Sequence, residues 1–134
     1  MQVNRTKTLI VLVGPTAVGK TTVAIRLAEH WHTEIISADS RQVFAELNIG
    51  TAKPTADQLQ RVPHHLIGTK SMHDDYDAAS FGNDALALIN RLFKTHDKLI
   101  LCGGSGLYIR AALEGFDPMP EVKQASGGSG AQPQ

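Results

Sequence analysis

The chain has 134 residues, and its 13 lysines and arginines balance 13 aspartates and glutamates, so the formal net charge is zero. A hydrophobic content of 42% and a charged content of 19% are ordinary for one globular domain and exclude a disordered or fibrous chain. The neutral total also excludes a protein that works mainly through a large basic surface, although one basic face remains compatible with it.

The single Cys102 cannot form an internal disulfide. The longest apolar run, residues 9–13, is too short for a transmembrane helix or for the core of a signal peptide. We therefore expect a cytoplasmic protein without membrane contact, and the expected assembly is a monomer.

The first third of the chain has the pattern of a strand, a helix and a second strand. Residues 8–13 are apolar and β-branched, which predicts a strand buried on both faces. An apolar spacing of four residues that ends at Trp31 predicts a helix over 21–31. Residues 34–39 predict another short strand that ends in polar side chains, so these elements form a βαβ unit.

The segment from Ser40 to Asp77 contains two prolines and an acidic run. It predicts loops around one short helix near residues 55–61. A stripe of apolar residues at helical spacing follows, and it predicts a helix that begins at Ala78 with Asp77 as its N-cap.

Residues 98–102 predict a third buried strand, and residues 107–113 predict a final helix. Helices that alternate with apolar strands indicate a three-layer α/β/α fold with a parallel sheet. We expect this core to span residues 1–122. Residues 123–134 end in a Gly/Ser-rich run and predict a flexible linker, either a natural tail or an engineered join.

A phosphate-binding motif, G-x-x-x-x-G-K-[ST], follows the first strand. Its glycines allow successive backbone N–H groups to turn towards an anion, and the dipole of the following helix favours negative charge there. The lysine supplies a point charge for a terminal phosphate, and the last hydroxyl can bind Mg²⁺. The motif consists of Gly14, Pro15, Thr16, Ala17, Val18, Gly19, Lys20 and Thr21.

The motif does not say which phosphate is bound. An ATPase or GTPase normally has an acidic residue at the end of another strand to hold Mg²⁺. The third predicted strand ends in Cys102 and Gly103 without a carboxylate. The absence of this carboxylate argues against nucleotide hydrolysis as the function. It is compatible with a reaction in which diphosphate is the leaving group.

Asp39 ends the second predicted strand, and the carboxyl ends of parallel strands border the ligand crevice. Its carboxylate could bind Mg²⁺ through water, act as a general base, or cap the following turn. Arg41 could pair with it. The glycine-rich run from Gly103 to Gly106 could form a second anion cradle. The adjacent His64 and His65 point to different sides and so do not favour a metal site.

Several motifs together resemble the tRNA dimethylallyltransferases, also called tRNA isopentenyl transferases, over about residues 8–122. Phe44 and Ser105 stand where that family often has tyrosine and threonine. The loop alone is shared by many proteins, whereas the ordered set is highly specific. The motifs are Gly14–Thr21, Asp39–Phe44, Gly50–Pro54, Pro63–Ile67 and Gly103–Tyr108.

The resemblance implies a P-loop NTPase-like fold and a Mg²⁺-dependent reaction. A dimethylallyl group would pass from dimethylallyl diphosphate to the exocyclic amine of an adenine next to the anticodon of a tRNA. Thr16 and Lys20 would contact diphosphate oxygens, Thr21 would help to place Mg²⁺, and Asp39 would accept the proton of the amine. The residues implied to lie against the tRNA are Asp39, Ser40, Arg41, Gln42 and Ser105.

Members of this family are roughly twice as long as this chain or longer, and the remainder has the size of another domain. We therefore expect the chain to be a shortened form that carries the N-terminal part. Two other functions remain open from the residues alone. One is a small-molecule kinase that uses the same loop on ATP, and the other is a non-catalytic phosphate-binding module.

Overall fold

The computed structural model describes residues 7–13, 20–46, 55–116 and 121–126. Within these ranges the strands are β1 (Thr8–Val13), β2 (Ile35–Ser37), β3 (His64–His65), β4 (Lys98–Gly103) and β5 (Glu121–Ser126). The helices are α1 (Lys20–Trp31), α2 (Ala56–Arg61), α3 (Ala78–Leu92) and α4 (Gly106–Glu114).

The described strands form one parallel sheet in the order β3-β2-β4-β1-β5. One apolar cluster packs α3 and α4 against one face, and a second cluster packs α1 against the other face. The predicted three-layer α/β/α architecture is therefore confirmed. The central strands are buried on both faces, which explains why their sequences are apolar without alternation.

The helix α3 shows how the apolar pattern produces the packing. Phe81, Ala85 and Ile89 recur on one face and are completely buried. The side chain of Asp77 accepts a hydrogen bond from the backbone N–H of Ser80 at 2.9 Å, so Asp77 is the N-cap as predicted.

Two strands were not expected from the sequence. β3 has only two residues and pairs with β2 through Ile35 and Ile36. β5 pairs with the whole length of β1, so residues 123–126 are part of the sheet and the predicted start of a linker at 123 is wrong. Backbone hydrogen bonds to the edge of β1 form this strand, with Val122 packed against the core.

None of the helices in the described ranges is long and apolar enough to cross a membrane.

Glu34 ties three parts of the sheet together at the amino ends of the strands. Its Oε1 accepts a hydrogen bond from Nε2 of His65 at 2.6 Å, and its Oε2 accepts one from Nε2 of His96 at 2.9 Å. Burial of Glu34 opposes ionisation, but the hydrogen bonds from the two histidines, together with their electrostatic attraction, outweigh burial and hold the pKa of the carboxyl below its usual value.

A carboxyl with a lowered pKa in the folded state adds stability above its unfolded pKa of about 4.3 and loses it as the pH falls through the folded value. We expect Glu34→Gln to lower the free energy of unfolding by about 1–2 kcal/mol at neutral pH. The difference from the wild type should shrink as the pH falls below about 4.3. Urea titrations across this range measure it.

Glu29→Gln provides the matched control, because Glu29 makes a two-pronged ion pair with Arg61 at distances of 2.9 and 3.0 Å on the exposed surface. Exposed pairs stabilise little, so this variant should lose less stability than Glu34→Gln. Equal losses in the two variants would contradict a structural role for Glu34.

Candidate active site

The carboxyl ends of β2, β4 and β1 lie side by side at one edge of the sheet, because these strands are successive neighbours and run parallel. Ligands of open α/β sheets bind at this edge. The turn that begins at Asp39 follows β2, and the loop that begins at Gly104 follows β4. The predicted site residues of both segments therefore lie at the same edge.

The phosphate-binding motif is described only at its two flanks. Gly14–Gly19 lie outside the described residues, so the predicted contacts of Thr16 stay predictions. β1 ends at Val13, and α1 begins at Lys20 with the half-buried Thr21 in its first turn. The strand before the motif and the helix after it are thus in place. The motif Gly50–Pro54 also lies outside the described residues.

Asp39 is buried, with 5% of its surface exposed. Its Oδ1 accepts hydrogen bonds from the backbone N–H groups of Arg41 at 2.8 Å and Gln42 at 3.1 Å. The carboxylate therefore caps the turn, as one of the sequence alternatives predicted. No hydrogen bond among the described residues uses Oδ2, so this oxygen is the one left for a ligand.

Gly103 is required where β4 ends. A Cβ atom at this position would lie 2.0 Å from the carbonyl oxygen of Ala38. Two backbone hydrogen bonds hold the segments this close: the N–H of Ala38 donates to the carbonyl of Cys102 at 2.8 Å, and the N–H of Ser105 donates to the carbonyl of Ala38 at 3.3 Å. The N–H of Ser105 is thereby used within the protein, which weakens the idea of a second anion cradle.

Ser40 and Ser105 are in direct contact. The hydroxyl of Ser105 accepts a hydrogen bond from the backbone N–H of Ser40 at 2.8 Å and donates to the Ser40 hydroxyl at 3.2 Å. Ser105 occupies the N-cap position of α4, yet its side chain makes no capping hydrogen bond there. The hydroxyl is instead used to join the two predicted ligand segments.

The other predicted tRNA residues differ in exposure. Arg41 is exposed, and the ion pairs of the described residues include none between Arg41 and Asp39. Gln42 is 7% exposed, and its Oε1 accepts a hydrogen bond from the hydroxyl of Ser37 at 3.4 Å. The observed contacts of Gln42 therefore support the turn from inside, and a contact with tRNA stays a prediction.

Sequence reasoning missed the segment that supports this turn, residues 66–72, which we call the strap. The N–H of Gly68 donates to the carbonyl of Gln42 at 2.8 Å. Phe44 and Lys70 form a parallel bridge, with the N–H of Lys70 donating to the carbonyl of Val43 at 3.1 Å. Gly68 adopts a φ of +66°, so the glycine that follows Ile67 was the available signal.

Side chains hold the strap at its carboxyl end. Glu46 accepts hydrogen bonds from the Ser71 hydroxyl at 2.7 Å and the Met72 N–H at 2.9 Å. Beyond the strap, the hydroxyl of Tyr76 donates to Oδ2 of Asp84 at 2.8 Å. Burial and this carboxylate raise the pKa of Tyr76 well above its usual range, so the phenol remains a hydrogen-bond donor.

His64 and His65 have separate surroundings. His65 donates to Glu34, whereas Nδ1 of His64 lies 2.8 Å from the carbonyl of Val62. Burial lowers the pKa of His64, despite that hydrogen bond. Across the described ranges no group of three histidine, cysteine, aspartate or glutamate side chains is arranged to hold a metal ion.

The sequence matches the IPP transferase family over residues 42–131, more than half of the chain. It is 54% identical to tRNA dimethylallyltransferase 1 of Bacteroides thetaiotaomicron over 115 residues, which cover 86% of this chain and 37% of the relative. It is 55% identical to tRNA dimethylallyltransferase 2 of Syntrophus aciditrophicus over 117 residues, which cover 87% of this chain and 38% of the relative.

The fold is similar to that of the full-length tRNA isopentenylpyrophosphate transferase of Bacillus halodurans, with a TM-score of 0.76 and 41% identity over 83% of this chain and 37% of that one. A eukaryotic dimethylallyltransferase acting on tRNA gives a TM-score of 0.74 at 27% identity, over 82% and 27% of the two chains. This chain thus spans just over a third of the length of the curated relatives above. These matches do not favour the kinase alternative.

The contact between Gly103 and Ala38 gives a direct test of how the site is built. We expect Gly103→Ala to lower the free energy of unfolding by about 3 kcal/mol, because the added methyl group would meet backbone atoms that cannot move without breaking the strand ends apart. Urea unfolding followed by circular dichroism measures the loss.

Gly106→Ala serves as the control, since a Cβ atom at Gly106 would meet nothing within 4 Å. Gly106 is the first residue of α4, so alanine there should be neutral or should stabilise by up to about 1 kcal/mol. Similar stabilities of the two variants would show that the close approach does not govern this edge.

Proposed function

The chain belongs to the IPP transferase family, and from this premise we propose that it carries the diphosphate-binding and proton-accepting part of a tRNA dimethylallyltransferase. The observation that carries the proposal is the position of Asp39. Its buried carboxylate has one oxygen fixed by two backbone N–H groups and lies next to the contact between Ser40 and Ser105. Asp39, Ser40 and Ser105 all lie at the edge of the sheet where β1 leads into the phosphate-binding motif.

The diphosphate of the allylic substrate binds the loop Gly14–Thr21 in this proposal. Support comes from the motif itself and from its flanks, because β1 ends and α1 begins where a phosphate cradle requires them. The amino end of α1 contributes a favourable dipole. Thr16 and Lys20 contact the diphosphate oxygens, which gain negative charge as the bond to the allylic carbon breaks.

The reaction moves one group and one proton. The exocyclic nitrogen of adenine forms a bond to the first carbon of the dimethylallyl group while the bond from that carbon to the diphosphate oxygen breaks. The diphosphate leaves with the electron pair, and the proton of the amine passes to Oδ2 of Asp39. Donors that face the departing oxygens lower the barrier, because they stabilise charge that develops in the transition state.

Mg²⁺ is the cofactor that this chemistry calls for. Thr21 suits this ion, because it offers a hydroxyl oxygen in the first turn of α1. Mg²⁺ typically uses few protein ligands together with phosphate oxygens and water. When bound, the ion neutralises charge on the diphosphate. Thr21 is the described residue that would hold it.

The RNA partner is an anticodon stem-loop of tRNA. Ser40 and Arg41 are exposed beside the buried Asp39, so they form the outer rim of the site. An adenine inside a base stack cannot reach a buried carboxylate, and enzymes that modify bases therefore extrude them. Ser105 holds the rim in place through its contact with Ser40.

We expect Asp39→Asn to lower the rate of dimethylallyl transfer at least about 100-fold. Asparagine keeps an Oδ1 acceptor for the two N–H groups of the turn but cannot accept the proton, so the loss of activity should come without a comparable loss of stability. Transfer of radiolabelled dimethylallyl to a stem-loop RNA, with saturating diphosphate substrate and Mg²⁺, measures the rate.

Asp74→Asn is the matched control, because Oδ2 of Asp74 also accepts a backbone hydrogen bond, from the N–H of Ser71 at 2.8 Å, in an exposed turn. The Asp74→Asn variant should transfer the dimethylallyl group at the wild-type rate. The Bacteroides thetaiotaomicron relative provides the reference assay. Equal rates for Asp39→Asn and the wild type would remove the proton-acceptor role, and no transfer by the wild-type chain would contradict the proposed activity for this chain.

We expect Lys20→Ala to weaken the binding of dimethylallyl diphosphate by at least about tenfold, since a charged donor to the phosphate is lost. Isothermal titration calorimetry with Mg²⁺ measures the affinity. Lys94→Ala, which removes an exposed lysine after α3, should leave it unchanged. Binding of ATP in preference to dimethylallyl diphosphate would instead support a kinase.

A further inference from the structure

Leu107 is more exposed than any other large hydrophobic side chain in the described part of the chain. Its exposed fraction is 70%, compared with 53% for Met72 and 41% for Leu59. A single exposed leucine is common on protein surfaces, so the exposure matters only together with where the side chain lies.

Leu107 lies in the first turn of α4, two residues after Ser105. Tyr108 and Ile109 of the same turn are buried in the core, so Leu107 faces away from the sheet. Ser105 holds Ser40 through its hydroxyl. The exposed leucine therefore stands at the rim of the candidate site, on the side that α4 provides.

A groove of about 420 Å³ leads away from this point between α3 and α4. Both helices begin at the site edge of the sheet, because α3 precedes β4 and α4 follows it. Gly82 of α3 packs so closely on Ala111 of α4 that a Cβ atom would lie 2.8 Å from the Ala111 carbonyl oxygen. The two helices thus pack closely beneath the groove, and Leu107 lines one side of it.

Arg110 follows Leu107 by one helical turn and lines the same groove. It is exposed, and the ion pairs among the described residues do not involve it. Arg41 directly follows Ser40, which contacts Ser105, and it is also exposed and takes part in none of these ion pairs. The described rim therefore carries two exposed cations, Arg41 directly after Ser40 and Arg110 one turn after Leu107.

An exposed leucine near two exposed arginines is better suited to a nucleic-acid partner than to a protein partner. A guanidinium group forms two-pronged hydrogen bonds with phosphate, and an aliphatic side chain can fill the gap that a displaced base leaves in a stack. Glu114 lies two turns from Leu107 and one turn beyond Arg110 in the same groove, and Asp77 caps α3 next to Ala78 at the near end. The attraction for phosphate therefore depends on the guanidinium groups alone, and the apolar contact of Leu107 has to contribute the rest.

Building on the proposed function, we infer that the first two turns of α4 extend the RNA-binding surface. Leu107 contacts the bases next to the extruded adenine and favours the extruded state. Arg110 binds a phosphate of the same strand. Leu107 is thus a positioning residue for the reaction, and Arg110 is a binding residue.

The test uses the whole chain and a stem-loop RNA that carries 2-aminopurine at the target position, whose fluorescence rises when the base leaves the stack. We expect Leu107→Ala to keep the RNA affinity within about twofold and to reduce the fluorescence rise about fivefold, because the wedge no longer offsets the cost of unstacking. We expect Arg110→Gln to weaken RNA binding about tenfold and to reduce the slope of log affinity against log salt by about 0.7.

Leu59→Ala and Arg91→Gln are the matched controls. Leu59 is exposed on α2, and Arg91 is exposed in the last turn of α3, at the opposite edge of the sheet. Neither variant should change the fluorescence rise or the salt dependence of binding. Circular dichroism of all four variants confirms that they fold.

Several outcomes would overturn the inference. If Leu107→Ala and Arg110→Gln behave like their controls while Arg41→Gln weakens RNA binding, the surface stops at Ser105 and the proposed function stands. If the wild-type chain binds no stem-loop RNA, both the inference and the RNA part of the proposed function fail. If Leu107→Ala changes the oligomeric state and not the fluorescence, the groove is a protein contact.

Discussion

The candidate site depends on the close approach of two backbone segments at the ends of β2 and β4. Gly103 lies against the carbonyl of Ala38, where no other residue type fits, and backbone hydrogen bonds fix that distance. Because the strand ends are locked together, the next residues of each chain segment are brought into contact, and Ser105 bonds to Ser40. Asp39 then has little freedom, since its carboxylate is fixed by the turn that starts at this junction. The position of the proposed proton acceptor is therefore a consequence of main-chain packing.

The rest of the sheet supports this junction from two directions. At the amino ends of the strands, Glu34 joins β3 to the residues that precede β4 through two histidines. At the carboxyl ends, the strap supports the turn after Asp39, and Gln42 contributes to this support with both its side chain and its carbonyl group. Catalysis requires groups held in place before substrate arrives. A short strand such as β2 meets that requirement because it is anchored at both ends.

Sequence reasoning succeeds here where a pattern is local and fails where a contact is made between distant segments. Apolar periodicity predicts α1 to within one residue and α3 from its first residue, because both patterns report a single buried face. The carboxyl ends of parallel strands share one edge of the sheet, and this general property correctly predicts that Asp39 and Ser105 lie at the same edge. The pairing of Phe44 with Lys70 and the burial of Gln42 come from long-range backbone contacts that leave little trace in composition. β5 is missed for the same reason, because backbone pairing with β1 outweighs a polar sequence.

The neutral net charge also limits how this chain can hold a polyanion. Each phosphate that a lysine or arginine neutralises adds to the salt dependence of binding, and the described rim offers only Arg41 and Arg110 as exposed cations outside ion pairs. Electrostatic attraction from this part of the chain is therefore modest. In the proposed RNA complex, affinity and specificity at the rim would come from shape, from hydrogen bonds such as those of Ser40, and from apolar contact at Leu107. A surface of this kind recognises an extruded base better than a regular duplex, because base edges and faces become accessible only when the stack is opened.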